Sequence, residues 1–332
     1  MKIFLISSSE LASGKTLLAW SVLRALKELK ISFDIIKLGS VQTEADKAEL
    51  ALIEDALNIK PKVVTASEMN CPEPSDVIAK ACPEAELVVI LGSHKIFSDP
   101  APEETCEAKL ASAVDPRIFL AIRYGDKANL IYTALTLKSY FGKKLHGVLI
   151  NRVPASEFEF TLERLAKDLN SWGVPVIAVL PEDRVLKSAT LNEYADIING
   201  KMLVEVDKEP CLVESHTLGT GMYQGKLSMF KRLWQRLALL GGTEKEIEDT
   251  SFSPRLIGIV AAGRIPPDTA LDVARSENIA VIHTELDAFM ITERLEKAIF
   301  HPTAKQTFRI ERFEKLLKNQ VDLKQTIAHA LE

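Results

Sequence analysis

Residues 2–16 read KIFLISSSELASGKT, and they predict a strand, a tight loop and the start of a helix. The apolar run Lys2–Ser7 has the length and composition of a buried strand. Apolar residues three or four apart predict a helix over Lys15–Leu29. A strand that leads through Gly-Lys-Thr into a helix is the context of a phosphate-binding loop, or P-loop.

The residue types of this loop match the chemistry of phosphate binding. Backbone N–H groups and the helix N-terminus would surround a phosphate, Lys15 would neutralise its oxygens, and the Thr16 hydroxyl would bind Mg²⁺. Ser9 stands in place of the first glycine of the usual pattern. The structural alternative is a helix that Ser13 merely caps. The residues predicted to bind nucleotide are Ser9, Glu10, Ser13, Gly14, Lys15, Thr16, Leu17, Asn151 and Arg152.

Across residues 1–205, short apolar runs alternate with segments of helical period. The predicted strands are Lys2–Ser7, Phe33–Leu38, Leu87–Leu91, Arg117–Ile122, Leu145–Asn151 and Val174–Leu180. The predicted helices are Lys15–Leu29, Glu44–Leu57, Lys127–Tyr140 and Phe158–Leu169. Strands apolar at every position are typical of a sheet covered on both faces. The pattern predicts an α/β fold with a doubly wound, mostly parallel sheet of the P-loop NTPase type.

Polar residues near the carboxyl ends of these strands are candidate site residues. Asp46 and Thr16 are the predicted magnesium ligands, and Lys37 is a candidate to contact phosphate or substrate, with an ordinary exposed lysine as its alternative. Asn151 and Arg152 close a later strand, where an amide is suited to reading adenine. Leu91-Gly92 provides no acid after the third predicted strand. This gap favours nucleotide binding over fast hydrolysis. His94, which follows, is a second-rank candidate base.

A second, smaller α/β series is predicted after a charged segment that ends in Pro210. Its predicted strands are Cys211–Ser215, Leu256–Ala261 and Ile279–His283, and its predicted helices are Met222–Ala238, Pro267–Ser276 and Leu286–Ala298. We therefore expect a nucleotide-binding domain over residues 1–205. A second domain, which includes the C-terminal helices, is expected over residues 211–332.

Composition narrows the classes of partner. The 332 residues include 41 basic and 46 acidic side chains, giving a formal net charge of −5, so a nucleic-acid partner is not expected. The longest apolar runs are strand-sized, below the roughly 20 residues that cross a bilayer, so no membrane partner is expected. Four dispersed cysteines without a Cys-x-x-Cys pair predict reduced thiols and a cytoplasmic location.

Four motifs together resemble a known family. They are SELASGKT at 9–16, Lys37, GVLINRV at 147–153 and LPEDRVL at 180–186. They resemble the dethiobiotin-synthetase-like domain at the N-terminus of long phosphotransacetylases. Residues from 211 onward, with IGIVAAGR at 257–264, are similar to the DRTGG domain that follows it. No part of residues 1–332 resembles the acetyltransferase domain of those proteins, so we do not expect acetyl transfer from these residues.

Two functions from different classes remain open, besides a third possibility that the loop has lost nucleotide binding and the protein is a scaffold. The first is a cytoplasmic ATP-binding regulatory or sensor protein, with Mg²⁺ bound alongside ATP and the DRTGG-like domain responding to a small-molecule effector or mediating a homodimer. The second is an ATP- and Mg²⁺-dependent carboxylate-activating ligase, as dethiobiotin or cobyrinic acid diamide synthetases are. Those ligases carry Glu-Gly where this chain has Leu91-Gly92. As an enzyme, the protein is expected to be at most a slow ATPase or an ATP-dependent ligase.

Overall fold

The computed structural model describes residues 1–39, 44–69, 73–92, 96, 106–206, 211–218, 237–243, 255–263, 265–298 and 306–332. Within these residues the chain forms two compact units. The first comprises Met1–Asp183 together with His301–Glu332, and the second comprises Arg184–Phe300. No helix of the described residues is both long enough and apolar enough to cross a membrane.

The first unit is built on a parallel sheet with helices between its strands. The strands are β1 Lys2–Ser8, β2 Asp34–Leu38, β3 Lys62–Val64, β4 Leu87–Leu91, β5 Arg117–Arg123, β6 Leu145–Val153 and β7 Val176–Pro181. The helices are α1 Lys15–Glu28, α2 Glu44–Leu57, α3 Ala66–Met69, α4 Pro74–Ala81, α5 Cys106–Ala113, α6 Lys127–Phe141, α7 Ala155–Phe160 and α8 Ala166–Ser171. A 3₁₀ turn covers Gly142–Lys144, and a π-helical turn over Thr161–Leu165 joins α7 to α8.

The sheet has the order β3-β2-β4-β1-β5-β6-β7, so β1 lies in the middle and the strand order reverses beside it. All described pairings in this sheet are parallel; Ile6, for example, pairs with Leu91 on one side and with Phe119 on the other. Such a reversal creates a crevice at the carboxyl ends of the strands, where α/β proteins bind ligands. The predicted α/β class with a mostly parallel sheet is confirmed.

Burial explains why these runs form strands. Residues 3–8 of β1 are all buried, and β4 is buried at all five positions. Helices therefore cover both faces, as the continuous apolar runs indicated. Phe4 and Phe119, on neighbouring strands, have ring centroids 5.3 Å apart. The core thus surrounds β1, and the loop that follows starts from its buried end.

The second unit contains a mixed sheet. Its elements are α9 Arg184–Lys187, β8 Ala189–Thr190, α10 Leu191–Ile197, β9 Lys201–Val204, β10 Leu212–Leu218, β11 Leu237–Thr243, β12 Arg255–Ala262, α11 Asp268–Ser276, β13 Ala280–Thr284 and α12 Ala288–Lys297. The strand order is β8-β10-β11-β12-β13-β9, with only the β12–β13 pair parallel among the described pairings. Helix α10 begins with a capping box between Thr190 and Glu193.

The C-terminal helices belong to the first unit, which differs from the predicted domains. Helices α13 Thr307–Lys318 and α14 Leu323–Leu331 both contact α1. Glu314 accepts hydrogen bonds from the Trp20 indole at 3.2 Å and from Arg24 at 2.6 and 2.7 Å. Phe313 and Ile327 bury the apolar faces of the two helices. The expected boundary at 205–211 assigned these helices to the second domain.

The start of the second unit also differs from the expected boundary, because residues between 184 and 205 pair with later strands. Strand β9 pairs antiparallel with β13, and β8 pairs with β10. The sequence pattern placed these residues in the first domain, because the boundary was predicted at the charged segment that ends in Pro210. Hydrogen bonding to the second sheet sets the observed division at Asp183–Arg184.

Several elements differ from the prediction. Strand β3 was not predicted, because three residues are too few to show a pattern. The helix predicted over Phe158–Leu169 begins at Ala155 and continues through the π turn to Ser171. Residues 222–236 of the helix predicted over Met222–Ala238 lie outside the described residues, and Leu237 and Ala238 belong to strand β11.

Candidate functional site

The loop between β1 and α1 has the backbone geometry of a compact turn. Ala12 and Gly14 adopt left-handed conformations, with φ of +58° and +97°. The Ser13 hydroxyl donates to the Glu10 carbonyl at 2.7 Å, which closes the turn from within. The Ser9 backbone N–H donates to the carbonyl of Ala121 on β5 at 3.0 Å and so fixes the loop to the sheet.

The N-terminus of α1 carries no side-chain cap. Gly14 is the capping position and provides no side-chain hydrogen bond, so the alternative that Ser13 merely caps this helix is wrong. The first backbone bond of the helix runs from Leu18 to Gly14. The N–H groups of Lys15, Thr16 and Leu17 therefore have no acceptor within the helix, and the first turn contains no acidic residue. Such an end attracts an anion.

Glu49 on α2 contacts both polar side chains at the start of α1. Its carboxylate accepts from the Lys15 ammonium at 3.1 Å and from the Thr16 hydroxyl at 3.1 Å. The Lys15 ammonium also donates to the carbonyl of Gly92, just after β4, at 2.6 Å. Lys15 is only 6% exposed and Glu49 only 2%. The loop lysine is thus held in a buried ion pair.

Lys37 extends this cluster from the end of β2. Its ammonium lies 2.6 Å from Glu49 Oε2 and 3.0 Å from Asp46 Oδ1. Lys37 is 1% exposed, which rules out the alternative of an ordinary surface lysine. Asp46 pairs with Lys37, whereas Glu49 contacts Thr16. The geometry therefore favours Glu49 over the predicted Asp46 as the acid beside Thr16.

The pKa shifts in this cluster follow from burial and charge. Burial acts to raise the pKa of Glu49, but the charges of Lys15 and Lys37 outweigh burial and lower it. Burial acts to lower the pKa of Lys37, but the nearby carboxylates of Glu49 and Asp46 outweigh burial and raise it. Burial lowers the pKa of Lys15, and the nearby charge of Lys37 adds to this effect. A phosphate bound next to Lys15 would place a second negative charge beside the buried ammonium and so favour its charged form.

Asn151, at the end of β6, packs over the loop rather than standing free. Its amide nitrogen donates to the Ser13 carbonyl at 2.9 Å, and its amide oxygen accepts from the backbone N–H of Arg152 at 2.9 Å. A side chain at Gly14 would collide with this amide nitrogen. Arg152 has a left-handed φ of +61°, and burial together with the charge of Arg123 lowers its pKa. Asn151 therefore positions the loop through its contact with Ser13.

The sequence analysis missed two acids, Glu49 and Glu107. Glu49 lies one helical turn after Asp46, a spacing that places both on the same side of α2 and was available in the sequence. Glu107 on α5 accepts a hydrogen bond from the Ser7 hydroxyl at the end of β1. Nothing in the sequence links residue 107 to residue 7. His94 lies outside the described residues.

The donor set fits a magnesium ion bound together with a nucleotide. The Thr16 hydroxyl and the Glu49 carboxylate are adjacent oxygen donors, which is the ligand type Mg²⁺ prefers. Among the residues described, no group of three or more His, Cys, Asp or Glu side chains is arranged to hold a metal. Mg²⁺ in nucleotide sites uses one or two protein ligands plus phosphates and water, so this pair is sufficient.

The first unit has a P-loop NTPase fold. Its features are the parallel sheet, the Gly-Lys-Thr turn after the first strand and the uncapped helix that follows this turn. No protein-family model matches the chain. The chain is similar to the hydrogenobyrinate a,c-diamide synthases of Brucella anthropi, 26% identical over 190 residues, and of Brucella ovis, 27% identical over 190 residues. Each alignment covers 56% of this chain and 42% of the relative, so the match spans less than half the relatives' length.

Two solved structures are also similar to part of the chain. The cell division protein MinD of Aquifex aeolicus is 14% identical, with 56% of this chain and 84% of that chain covered and a TM-score of 0.37. A ParA family ATPase from Chlorobium tepidum is 18% identical, with 56% and 86% covered and a TM-score of 0.34.

Proposed function

We propose that the protein binds ATP together with Mg²⁺ at the loop formed by residues 9–17. The observation that carries this proposal is the arrangement at the start of α1. The helix begins with three backbone N–H groups that have no helical acceptor, and the Lys15 ammonium and Thr16 hydroxyl of the same turn both contact the Glu49 carboxylate. That combination matches the triphosphate and its metal, and a neutral ligand would leave it unused.

Each residue then has a defined role. Phosphate oxygens would replace Glu49 as the ion-pair partner of Lys15. Lys37 would keep its ion pairs with Asp46 and Glu49 and so hold both acids in place. Thr16 and Glu49 would hold Mg²⁺, which supplies positive charge against the β- and γ-phosphates. Asn151 holds the loop through Ser13, and Arg152 lies where the charges of Glu10 and Glu182 act on it.

The proposed use of the nucleotide is regulatory. ATP binding in the first unit would switch the protein between a nucleotide-bound and a nucleotide-free state. We propose that the second unit is DRTGG-like. It would bind a small-molecule effector or form a homodimer. A cytoplasmic location goes with this proposal. The regulatory proposal rests on a resemblance to the N-terminal region of long phosphotransacetylases, which is carried by the loop at 9–16 and by the segments at 147–153 and 180–186.

The test is nucleotide affinity measured by calorimetry with Lys15→Ala. Losing one charged hydrogen-bond donor to phosphate costs about 1.5–3 kcal/mol, so affinity for Mg-ATP should fall at least about tenfold. Lys127→Ala is the matched control, because Lys127 is an exposed lysine on α6 that pairs with Glu157. Equal affinity in wild type and Lys15→Ala would contradict the proposal.

The second candidate is an ATP-dependent ligase that activates a carboxylate. Two observations favour it: the diamide synthases named above align over the first part of the chain, and Lys37 is buried beside the loop, where a carboxylate could be positioned. In this case a small carboxylic acid would stimulate phosphate release from ATP. A panel of mono- and dicarboxylic acids, with Lys37→Met as the control for that role, separates the two candidates. Tight ATP binding without stimulation favours the regulatory function.

A further inference from the structure

A cavity of about 440 Å³ lies between helices α1, α13 and α14 of the first unit. Small-molecule sites in proteins typically have volumes of about 300–1,000 Å³, so this cavity is large enough for a small ligand. The residues that line it lie within 21–28 and 314–324, outside the loop at 9–17. Ser21, the first of them on α1, is about 9 Å further along the helix axis than Lys15. The cavity is therefore separate from the proposed nucleotide site.

Part of the cavity lining is apolar. Ala25 on α1 and Leu317 on α13 are buried, and Val321 and Leu323, in and just after the turn between α13 and α14, are half-buried. A hydrocarbon group seated against these side chains would remove apolar surface from water on both partners, which is favourable. The cavity is therefore suited to a ligand that has an apolar part.

A chain of five charged side chains with alternating sign also lines the cavity. Lys318 lies 3.9 Å from Glu314, and Glu314 pairs with Arg24 at 2.6 Å. Arg24 lies 3.1 Å from Glu28, and Glu28 pairs with Lys324 at 2.7 Å. We call these five residues the ion-pair chain. It contains three cations and two carboxylates, with a lysine at each end.

Both carboxylates of the ion-pair chain already have partners at each oxygen. The two oxygens of Glu314 accept from Arg24 at 2.7 and 2.6 Å, and one of them also accepts from the Trp20 indole at 3.2 Å. One oxygen of Glu28 accepts from Arg24, and the other pairs with Lys324. The acids of the chain are therefore engaged by the protein itself.

The lysines at the ends of the ion-pair chain have donors to spare. Each lysine ammonium carries three donors. Lys324 pairs with Glu28, whereas Lys318 is beyond hydrogen-bond distance of Glu314, its nearest carboxylate among the residues described. Asp322, the third acid of the lining, caps α14 by accepting from two backbone N–H groups of that helix. The unused hydrogen-bonding capacity of the lining therefore consists of cationic donors, which favour an anionic ligand.

We propose that this cavity binds a small organic anion, namely a carboxylate with a short hydrocarbon body. Its carboxylate accepts hydrogen bonds from Lys318 and Lys324, and its hydrocarbon packs against the apolar side chains that include Leu317 and Val321. The inference goes beyond the proposed nucleotide binding and does not depend on it, because the two sites have different residues.

Calorimetric titration with hexanoate tests the proposal, with butyrate, hexanol and inorganic phosphate as comparison ligands. Burial of one methylene group strengthens binding about fourfold, so hexanoate, with two more, should bind roughly fifteenfold more tightly than butyrate. Hexanol lacks the charge that the lysines recognise and should bind at least about tenfold more weakly than hexanoate. Phosphate has no apolar part and should also bind more weakly than hexanoate.

Variants of the lining separate the charged from the apolar contribution. The double variant Lys318→Met, Lys324→Met removes both end cations and should weaken hexanoate binding at least about tenfold. Lys315→Met is the matched control, because Lys315 is an exposed lysine on α13 outside the cavity lining. Val321→Phe should fill part of the cavity and weaken hexanoate binding without changing a charge. Thermal unfolding without ligand identifies a variant that fails to fold, in which case the other variant remains the test.

Each outcome decides the proposal. Saturable hexanoate binding that the double lysine variant and Val321→Phe weaken, and that Lys315→Met retains, supports it. No saturable hexanoate binding to the wild type would overturn it. Equal affinities for hexanoate and hexanol, or an unchanged affinity in the double lysine variant, would overturn recognition of the anion. Phosphate binding as tight as hexanoate binding would overturn the apolar contribution and leave only a cluster of surface charges.

Discussion

Replacing Glu49 with glutamine tests the buried charge cluster that holds the loop lysine. The wild-type carboxylate accepts from Lys37 at 2.6 Å and from both Lys15 and Thr16 at 3.1 Å. Glutamine keeps the shape and one oxygen acceptor but removes the negative charge. The two lysines then remain buried with one fewer carboxylate between them.

The expected loss of stability follows from what each lysine retains. Breaking a buried ion pair by removing one partner costs about 3–5 kcal/mol. Lys37 keeps Asp46 at 3.0 Å, so its share of the loss is small. Lys15 keeps the Gly92 carbonyl as an acceptor at 2.6 Å but loses its carboxylate partner. We therefore expect Glu49→Gln to lower the free energy of unfolding by about 3 kcal/mol.

Urea unfolding followed by far-UV circular dichroism at neutral pH measures this change. Glu28→Gln is the matched control, because Glu28 pairs with Arg24 and Lys324 on the exposed side of α1. A surface pair contributes at most about 1 kcal/mol, so the control should change little. A loss for Glu49→Gln no larger than that for Glu28→Gln would refute the buried cluster.

Three further predictions concern the loop, the C-terminal helices and acid stability. Gly14→Ala should cost about 1–3 kcal/mol in unfolding free energy and weaken ATP binding, because its φ is +97° and a Cβ meets the Asn151 amide. Gly142→Ala, with φ +57° and open space, should leave calorimetric ATP affinity unchanged; equal losses of affinity in both variants would contradict the loop geometry. Phe313→Ala should cost about 3–5 kcal/mol by urea unfolding, since Phe313 is fully buried, and a negligible change would contradict the packing of α13. The lowered pKa of Glu49 predicts stability that is full above its ordinary value of 4.5 and is lost as pH falls through the lower folded pKa. Unfolding titrations at acid pH should show a shallower loss in Glu49→Gln, and identical slopes would count against this prediction.

Most of the first unit was predictable from the sequence because its signals are local. Six of the seven strands in its sheet were predicted to within a few residues, since each is a continuous apolar run. The exception, β3, has three residues, and pairing with β2 determines it. The division between the units was not predictable in this way. It depends on which distant strand β9 pairs with and on the packing of α13 and α14 against α1.

In the candidate site, too, the residues close together in the chain were predictable, whereas contacts between distant residues were not. The loop residues follow one another in the chain, so Gly14, Lys15 and Thr16 were readable directly from the motif. Glu49 is 33 residues beyond Thr16, and only its spacing from Asp46 pointed to it. Glu107 is 100 residues beyond Ser7, and only the folded chain brings helix α5 to the end of β1. Sequence alone predicts the loop residues and Asp46 as site candidates, whereas the contacts of Glu49 and Glu107 are visible only in the fold.

The central claim is that ATP binds at residues 9–17, and amide hydrogen exchange with and without Mg-ATP tests it most directly. The account predicts slower exchange for the amides of the loop and the first turn of α1, because their N–H groups become hydrogen bonded to phosphate. Lys15→Ala should show little of this protection at the same nucleotide concentration. Protection confined to the second unit, or the same protection at the loop in Lys15→Ala, would contradict the account.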